Sequence, residues 1–173
     1  MVSRYVPDDM KTDGNFMLVF CESIEDLAAP TLAELNAGVA VECASRGFDQ
    51  STNVSTNTDQ YLCDTEAREE VGSRTRQIAP FEIDAEDITT DDDFTDLVTE
   101  DAVVYLWVRP GVKHTEDIAA AQRGWGYKVR VSSVDPKAVT AGATGSGQKF
   151  GYRVAVTVLE RELKSEVATT GGA

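Results

Sequence analysis

The residue best suited to catalysis in this sequence is its single histidine, His114. Histidine acts as a general base in hydrolases when it lies beside a serine nucleophile. The sequence has no Gly-x-Ser-x-Gly elbow, and Ser146 lies in a Gly-rich stretch rather than between a strand and a helix. A hydrolase centred on His114 is therefore the least favoured function, and no catalytic residue is predicted.

The run Asp91, Asp92 and Asp93 offers the oxygen ligands that Ca²⁺ prefers. An EF-hand loop beginning at Asp91 would need glycine and glutamate where the sequence has Asp96 and Ala102. The run is better explained as the solvated start of a short helix, where the helix dipole favours negative charge. An irregular cation site here stays open, while no metal-ligating or cofactor-binding residue is predicted.

Trp107 and Trp125 could form an aromatic platform for a sugar ring if both were exposed. Each lies in a predicted strand, over 102–108 and 125–134 respectively. Tryptophans in such strands more often belong to a core or to a contact between subunits. A carbohydrate-binding β-sandwich is therefore kept as an alternative function.

The charge of the chain argues against binding to nucleic acid or to anionic membranes. Thirty acidic residues against 16 basic ones give a net charge of −14, which repels phosphate groups. Residues 1–101 hold 24 acidic and 6 basic side chains, whereas 102–173 hold 6 and 10. Two halves of opposite charge would favour head-to-tail contact between copies, which gives rings or filaments. In a monomer the asymmetry has no consequence, so both interpretations stay open.

Cys21, Cys43 and Cys63 are odd in number and form no Cys-x-x-Cys pair. This pattern predicts reduced, mostly buried thiols rather than disulfides or a zinc site. No apolar run approaches the ~20 residues of a membrane span, and residues 1–13 lack the features of a signal peptide. The sequence predicts a protein that is made and kept soluble in a cytoplasm.

Short strands dominate the predicted secondary structure. Two of them, 61–71 and 75–83, are predicted to pair as a hairpin around Gly72, with Glu82 and Asp84 on one face of the second strand. Thr31 and Glu34 form a capping-box pattern that predicts a short helix. The fold class is therefore mainly β, an antiparallel β-sandwich or barrel with a short flanking helix. The other predicted strands cover residues 16–21, 39–43, 102–108, 125–134 and 150–159.

A single domain is predicted over residues 16–164. Residues 1–15 are predicted to form a flexible arm and 165–173 a disordered end, because both are polar or Gly-rich. Within the domain, 48–59 is rich in Ser, Thr and Asn and is predicted to be a long polar loop.

Several segments resemble the tail-tube (major tail) proteins of long-tailed, non-contractile phages of actinobacteria. DLAAPTLAELNAG, residues 26–38, is similar to the opening of those proteins, and the polar stretch 48–57 followed by DQYLCDT, 59–65, is similar to their loop and next strand. VYLWVRPG, 104–111, resembles a later strand. The similarity keeps the same order over about residues 26–160.

The resemblance implies a structural, non-enzymatic protein of the virion tail, assembled in the host cytoplasm. Its subunits would join their sheets into hexameric rings that stack into a tube, through which DNA passes without specific binding. The implied partners are further copies, the tape-measure protein and tail-end proteins, with no membrane. Strand parity places an acidic lumen lining at Glu66, Glu69, Glu82 and Asp84. The polar loop between rings would include Phe48, Asp49, Ser51, Asn53, Asn57 and Asp59.

Another virion β-protein, such as a capsid decoration protein or a tail terminator, is a further alternative. A tube protein should form long tubes or hexameric rings, whereas a decoration protein should be a monomer or trimer. Glycan binding that is lost on Trp125→Ala would instead favour the carbohydrate-binding alternative.

Overall fold

A computed structural model of the chain describes residues 14–59, 68–84, 93–137 and 150–169. Within these ranges a mainly antiparallel β fold with short helices is present, as the sequence predicts. The elements are β1 (Phe16–Cys21), α1 (Leu32–Asn36), β2 (Val39–Ala40), β3 (Ser45–Arg46), β4 (Gln50–Asp59), β5 (Arg68–Ile78), β6 (Phe81–Asp84), α2 (Asp93–Leu97), β7 (Val103–Pro110), β8 (Arg123–Pro136) and β9 (Gly151–Glu166).

The strands form one sheet in the order β2-β1-β7-β8-β9-β5-β4, and every pair is antiparallel. β6 pairs with the same edge of β9 as β5 does, and β3 pairs with β6. The long β8–β9 ladder shifts register at three places. Such bulges bend and twist a sheet, which helps it to curve around a core.

Two hydrophobic cores lie on opposite faces of this sheet. In β1, Leu18 and Phe20 point into one core while Val19 and Cys21 point into the other, as the alternation of a strand requires. The main core includes residues of β1, β6, β7, β8 and β9 together with Phe94 of α2. The second core lies under α1 and consists of Met17, Val19, Cys21, Ile24, Leu27, Leu35, Trp107 and Val167.

The predicted capping box begins α1. The Thr31 hydroxyl accepts a hydrogen bond from the Glu34 backbone N–H at 3.2 Å, and the Glu34 carboxylate accepts one from the Thr31 N–H at 2.8 Å. After the helix, Gly38 lies so close to β1 that a Cβ atom would come within 2.6 Å of the Phe20 carbonyl oxygen. The glycine therefore lets the chain turn tightly from α1 into β2.

The prediction of a loop over 48–59 is wrong, because β4 occupies Gln50–Asp59 and pairs with β5. The strand carries no apolar alternation, since both of its faces are polar over most of its length. The predicted hairpin around Gly72 is also wrong. β5 runs through Gly72, which lies at a bulge opposite Ser55, and the residues between β4 and β5, 60–67, lie outside the described residues.

The end of the chain belongs to the fold as far as residue 169, which corrects the prediction that 165–173 is disordered. β9 extends to Glu166, and Ser165 and Val167 are buried. The Val167 N–H donates to the Gln122 carbonyl at 2.9 Å. Residues 170–173, like 1–13 of the predicted N-terminal arm, lie outside the described residues.

Candidate functional site

The side chain and the backbone N–H of His114 both contact the backbone of Gly14. Its ring Nδ1 lies 3.1 Å from the Gly14 carbonyl oxygen, and its own backbone N–H donates to that oxygen at 2.9 Å. Gly111 likewise donates to the Asn15 carbonyl at 2.8 Å. These contacts fasten the beginning of β1 to the loop after β7. Ser146, the serine considered beside His114, lies outside the described residues.

The acidic run falls mostly outside the described residues, since only Asp93 is included, at the start of α2. Among the described residues, no group of three or more His, Cys, Asp or Glu side chains is placed to hold a metal ion. Cys21 is buried, and burial, followed by the charge of Glu34, raises its pKa to about 12. Cys43 is exposed, which departs from the buried thiol expected there, and Cys63 is not described.

The two tryptophans lie on opposite faces of the sheet, which removes the sugar platform. Trp107 is fully buried in the second core, and its Nε1–H donates to the Ser165 hydroxyl at 3.2 Å. Trp125 pairs with Val108 and packs against the main core. Because paired residues share a face, the two indoles cannot stack on one ligand.

Arg109 is a buried charge that sequence reasoning missed. Its guanidinium donates to the carbonyls of Lys113, Glu116 and Asp117 at 2.7–3.1 Å and to the Gln122 side chain at 3.0 Å. Burial lowers its pKa, against the opposing effect of nearby carboxylates. The side chain thus fixes the loop between β7 and β8. The sequence could have indicated this role, because Arg109 is a charged residue near the end of an otherwise apolar strand.

Two of the predicted lumen acids belong to an ion cluster. Glu82 and Asp84 lie on the face of β6 opposite the buried Phe81 and Ile83, as predicted. The Lys137 Nζ lies 2.8 Å from an Asp84 carboxylate oxygen and 3.2 Å from one of Glu82, and Arg46 bonds Asp84 at 3.0 Å. The hydrogen bond from Lys137 lowers the pKa of Asp84, while the same bond raises the pKa of Lys137. These acids are therefore largely compensated.

β4 and β5 form a ribbon that has no core of its own, which we call the hairpin arm (residues 50–59 and 68–77). From Ser51 to Thr58 and from Glu69 to Gln77, every residue is exposed except the half-buried Gly72. Only Gln77 of the arm pairs with β9, opposite Thr157. The arm therefore projects from the sheet, and both of its faces are exposed to solvent.

The base of the arm is anchored to the body. The Tyr127 hydroxyl donates to the Gln50 side-chain oxygen, and Arg161 donates to the Thr52 hydroxyl at 3.2 Å. Burial raises the pKa of Tyr127 to about 12. Phe48 lies just before the arm, and its ring packs 5.9–6.2 Å from the rings of Phe16, Phe81 and Tyr127. Of the predicted inter-ring residues, Phe48 is thus part of the body.

The register gives the arm two different faces. Residues of β4 alternate, and residues paired across the ladder share a face. One face, which we call the valine face, consists of Thr52, Val54, Thr56, Thr58, Glu69, Val71, Arg74 and Arg76. The other face carries mainly hydroxyl and amide side chains and includes Ser51, Asn53 and Asn57 of the predicted inter-ring set.

The structure places the three described members of the predicted lumen acids on two different sides. The valine face continues from Gln50, which contacts the main-core residue Tyr127, so Glu69 lies on the core side of its strand. Glu82 and Asp84 lie on the side away from that core. Glu66 and the Asp59 side chain lie outside the described residues.

Comparisons with known proteins identify a matching family and a similar fold. A family model described as "Phage tail tube protein" matches residues 5–169. A chain in a structure entitled "Cryo-EM structure of the anti-feeding prophage (AFP) baseplate, 6-fold symmetrised" has a similar fold. Its TM-score is 0.50 at 9% sequence identity, and the match covers 98% of this chain and 99% of that one.

The comparison with curated protein sequences found no match. No helix within the described ranges is long and apolar enough to cross a membrane. The family model, however, spans nearly the whole sequence, including both the body and the arm. The chain therefore belongs to the phage tail tube protein family, and it is a structural protein of the virion tail.

Proposed function

We propose that this chain assembles with copies of itself into hexameric rings, which stack into the tail tube and conduct DNA during ejection. The hairpin arm is the observation that carries the proposal. An isolated two-stranded hairpin is marginally stable in water, and this one buries almost none of its side chains. Such a ribbon gains stability when it packs against another subunit.

Unpaired strand edges support the same assembly. Within the described residues, the outer edge of β4 has no neighbouring strand, and β9 has none beyond Thr157 on the side where β5 pairs. Exposed edges are templates for pairing with another chain. Because the two edges differ, copies would join head to tail and close into a ring. The six-fold symmetrised assembly that contains the similar fold supports six as the number of subunits.

An acidic lumen lining drawn from Glu66, Glu69, Glu82 and Asp84 is part of the proposal, and because Glu69 and Glu82 lie on opposite sides of their strands, only one of these two faces the lumen. An acidic wall repels phosphates and lets DNA slide without binding. Because Lys137 and Arg46 together compensate Glu82 and Asp84, most of the free negative charge would come from Glu66 and Glu69.

Two single charge reversals determine which face lines the lumen. Glu69→Lys and Glu82→Lys change side chains on opposite sides of their strands. In phage that carry either variant, the reversal on the lumen side should slow DNA ejection, while the other should have little effect. Unchanged ejection in both variants would refute the acidic lining.

We also propose that the arm reaches the next ring through Asp49, Ser51, Asn53, Asn57 and Asp59. The tape-measure protein would occupy the lumen before ejection, and tail-end proteins would close the tube. Assembly takes place in the host cytoplasm, and the role requires no catalysis. Replacement of the Asn53 amide by a hydrocarbon side chain in Asn53→Leu should shorten tubes while rings still form.

Electron microscopy and sedimentation of the purified protein test the assembly. The parent protein should form six-fold rings or tubes. A variant in which residues 52–76 are replaced by an Asn-Gly turn should remain a folded monomer with a cooperative unfolding transition. A parent protein that stays monomeric or trimeric at all concentrations would favour a decoration protein, and assembly by the armless variant would show that the arm is dispensable.

A further inference from the structure

Three arginines come together at the base of the hairpin arm, on its valine face. Arg74 and Arg76 are exposed there, opposite Val54 and Thr52 of β4. Arg161 of β9 donates to the Thr52 hydroxyl at 3.2 Å, and Thr52 is the partner of Arg76 in the ladder. We call Arg74, Arg76 and Arg161 the arginine cluster. Within the described part of the chain, none of the three forms an ion pair.

The β9 carboxylates beside this cluster do not face it. Arg161 pairs with Tyr127 of the main core, so it lies on the core side of β9. Its neighbours Glu160 and Glu162 therefore lie on the opposite face of the strand. Like charges on neighbouring positions of a sheet repel each other. Three clustered cations in a chain of net charge −14 therefore indicate a surface that an acidic partner neutralises.

A groove of about 790 Å³ carries the opposite charge, and we call it the acidic groove. It lies between the end of α1 and the start of β7, and it is lined by Glu22 and Asp96. Both of these residues are exposed, and no lysine or arginine is among the described residues that line the groove. Glu100 and Asp101, which are also exposed, follow in the turn before β7.

The arginine cluster and the acidic groove lie near opposite edges of the sheet. β1 lies next to one edge, and β4 forms the other. α2, which carries Asp96, packs on β1 through Phe94 and Phe20, whose ring centroids are 5.3 Å apart. No ion pair joins the two surfaces within the described ranges of one chain. Head-to-tail contact between copies, in contrast, brings unlike surfaces together.

We propose that the arginine cluster binds the acidic groove of a second copy of this chain. The inference rests on the proposed self-assembly and specifies which surfaces meet. A guanidinium donates two parallel hydrogen bonds to a carboxylate, so the Glu22 and Asp96 side chains are suitable partners for Arg74 and Arg76. Since every copy has one cluster and one groove, the contact can repeat from copy to copy.

Charge reversal followed by mixing tests the contact. The variant Arg74→Glu, Arg76→Glu and the variant Glu22→Lys, Asp96→Lys should each require about tenfold or more protein to assemble, because like charges then face each other. A 1:1 mixture of the two variants should assemble like the parent protein, because each altered surface then meets a surface of opposite charge. Sedimentation measures the concentration required for assembly, and electron microscopy shows the rings or tubes.

The variant Lys113→Glu, Arg130→Glu is the matched control, since it makes the same change in net charge. Lys113 is exposed in the loop after β7, and Arg130 is exposed on the face of β8 opposite the main core. Mixing this control with Glu22→Lys, Asp96→Lys should not restore assembly. Every variant monomer should unfold at the same urea concentration as the parent monomer, which separates an assembly defect from a folding defect.

The outcomes distinguish this contact from self-assembly in general. If the parent protein assembles but the mixture does not recover, or if Arg74→Glu, Arg76→Glu assembles like the parent, the proposed contact is wrong while self-assembly stands. Normal assembly of that variant with loss of binding to a short DNA duplex would assign the cluster to phosphate and would also overturn the proposal. If the parent protein forms no assembly, both proposals fail.

Discussion

The body and the hairpin arm of this protein are built from the same kind of ladder but are stabilised differently. Strands β1 and β7 bury residues on both faces, in a main core on one side and a second core on the other. β4 and β5 pair over nine positions, yet between Ser51 and Thr58 no side chain of β4 is buried. Backbone pairing alone therefore does not show that a region is stable by itself.

This difference between body and arm indicates which region stabilises the folded monomer and which region stabilises the assembly. Burial of apolar surface is the main favourable contribution to folding, and the body provides nearly all of it. The arm leaves Val54 and Val71 exposed, so its stabilising contacts await a partner. Substitutions in the body should alter unfolding, while those in the arm should alter assembly.

The largest effect is expected for Trp107→Ala. Trp107 is fully buried in the second core and donates a hydrogen bond to Ser165. Its loss should reduce the free energy of unfolding by about 3–5 kcal/mol, as for other large-to-small core substitutions. Urea denaturation of the monomer measures this, and a loss below about 1 kcal/mol would contradict the role of the second core.

Arg109→Met should have the next largest effect. The substitution leaves the carbonyls of Lys113, Glu116 and Asp117 without their donor in a buried setting. We expect a loss of about 2–4 kcal/mol in unfolding free energy, together with faster hydrogen exchange in residues 111–122. Thr115→Ala, an exposed position in the same loop, is the control and should change little.

A smaller, pH-dependent effect is expected for Asp84→Asn. The hydrogen bond from Lys137 is the main cause that lowers the pKa of Asp84 from its ordinary value of 3.8. The ionised Asp84 carboxylate therefore contributes its full stabilisation above pH 3.8, and this contribution is lost as the pH falls through the lower pKa of the folded state. The variant should be less stable than the parent at pH 7, and the two should be equally stable at a pH below the folded-state pKa of Asp84. Thermal melts from pH 7 downwards test this, with the exposed Glu100→Gln as control.

The smallest effect on monomer stability is expected in the arm. Val71→Ser should change the unfolding free energy by less than about 0.5 kcal/mol, because Val71 is 63% exposed. Backbone amides of residues 51–58 should exchange quickly in the monomer and slowly in rings. Protection of these amides in the monomer would show that the arm is stable without a partner.

Local patterns in the sequence were enough to predict much of the body. The strands at 16–21, 102–108 and 125–134 and the Thr31–Glu34 capping box follow from residue types at short spacing. The separation of Phe81 and Ile83 from Glu82 and Asp84 follows from strand alternation. The order of motifs along the chain also indicated the tail-tube family, which the family model confirms.

Only the tertiary structure decided the parts that depend on distant partners. β4 is polar on both faces, so it became a strand through its ladder with β5 rather than through its own pattern. Arg109 could be recognised as the organiser of a loop only once the carbonyls of that loop surrounded it. The register of the β7–β8 pair likewise placed Trp107 and Trp125 on opposite faces of the sheet. Periodicity reports which side of a strand is apolar, whereas pairing and burial depend on contacts between residues far apart in the chain.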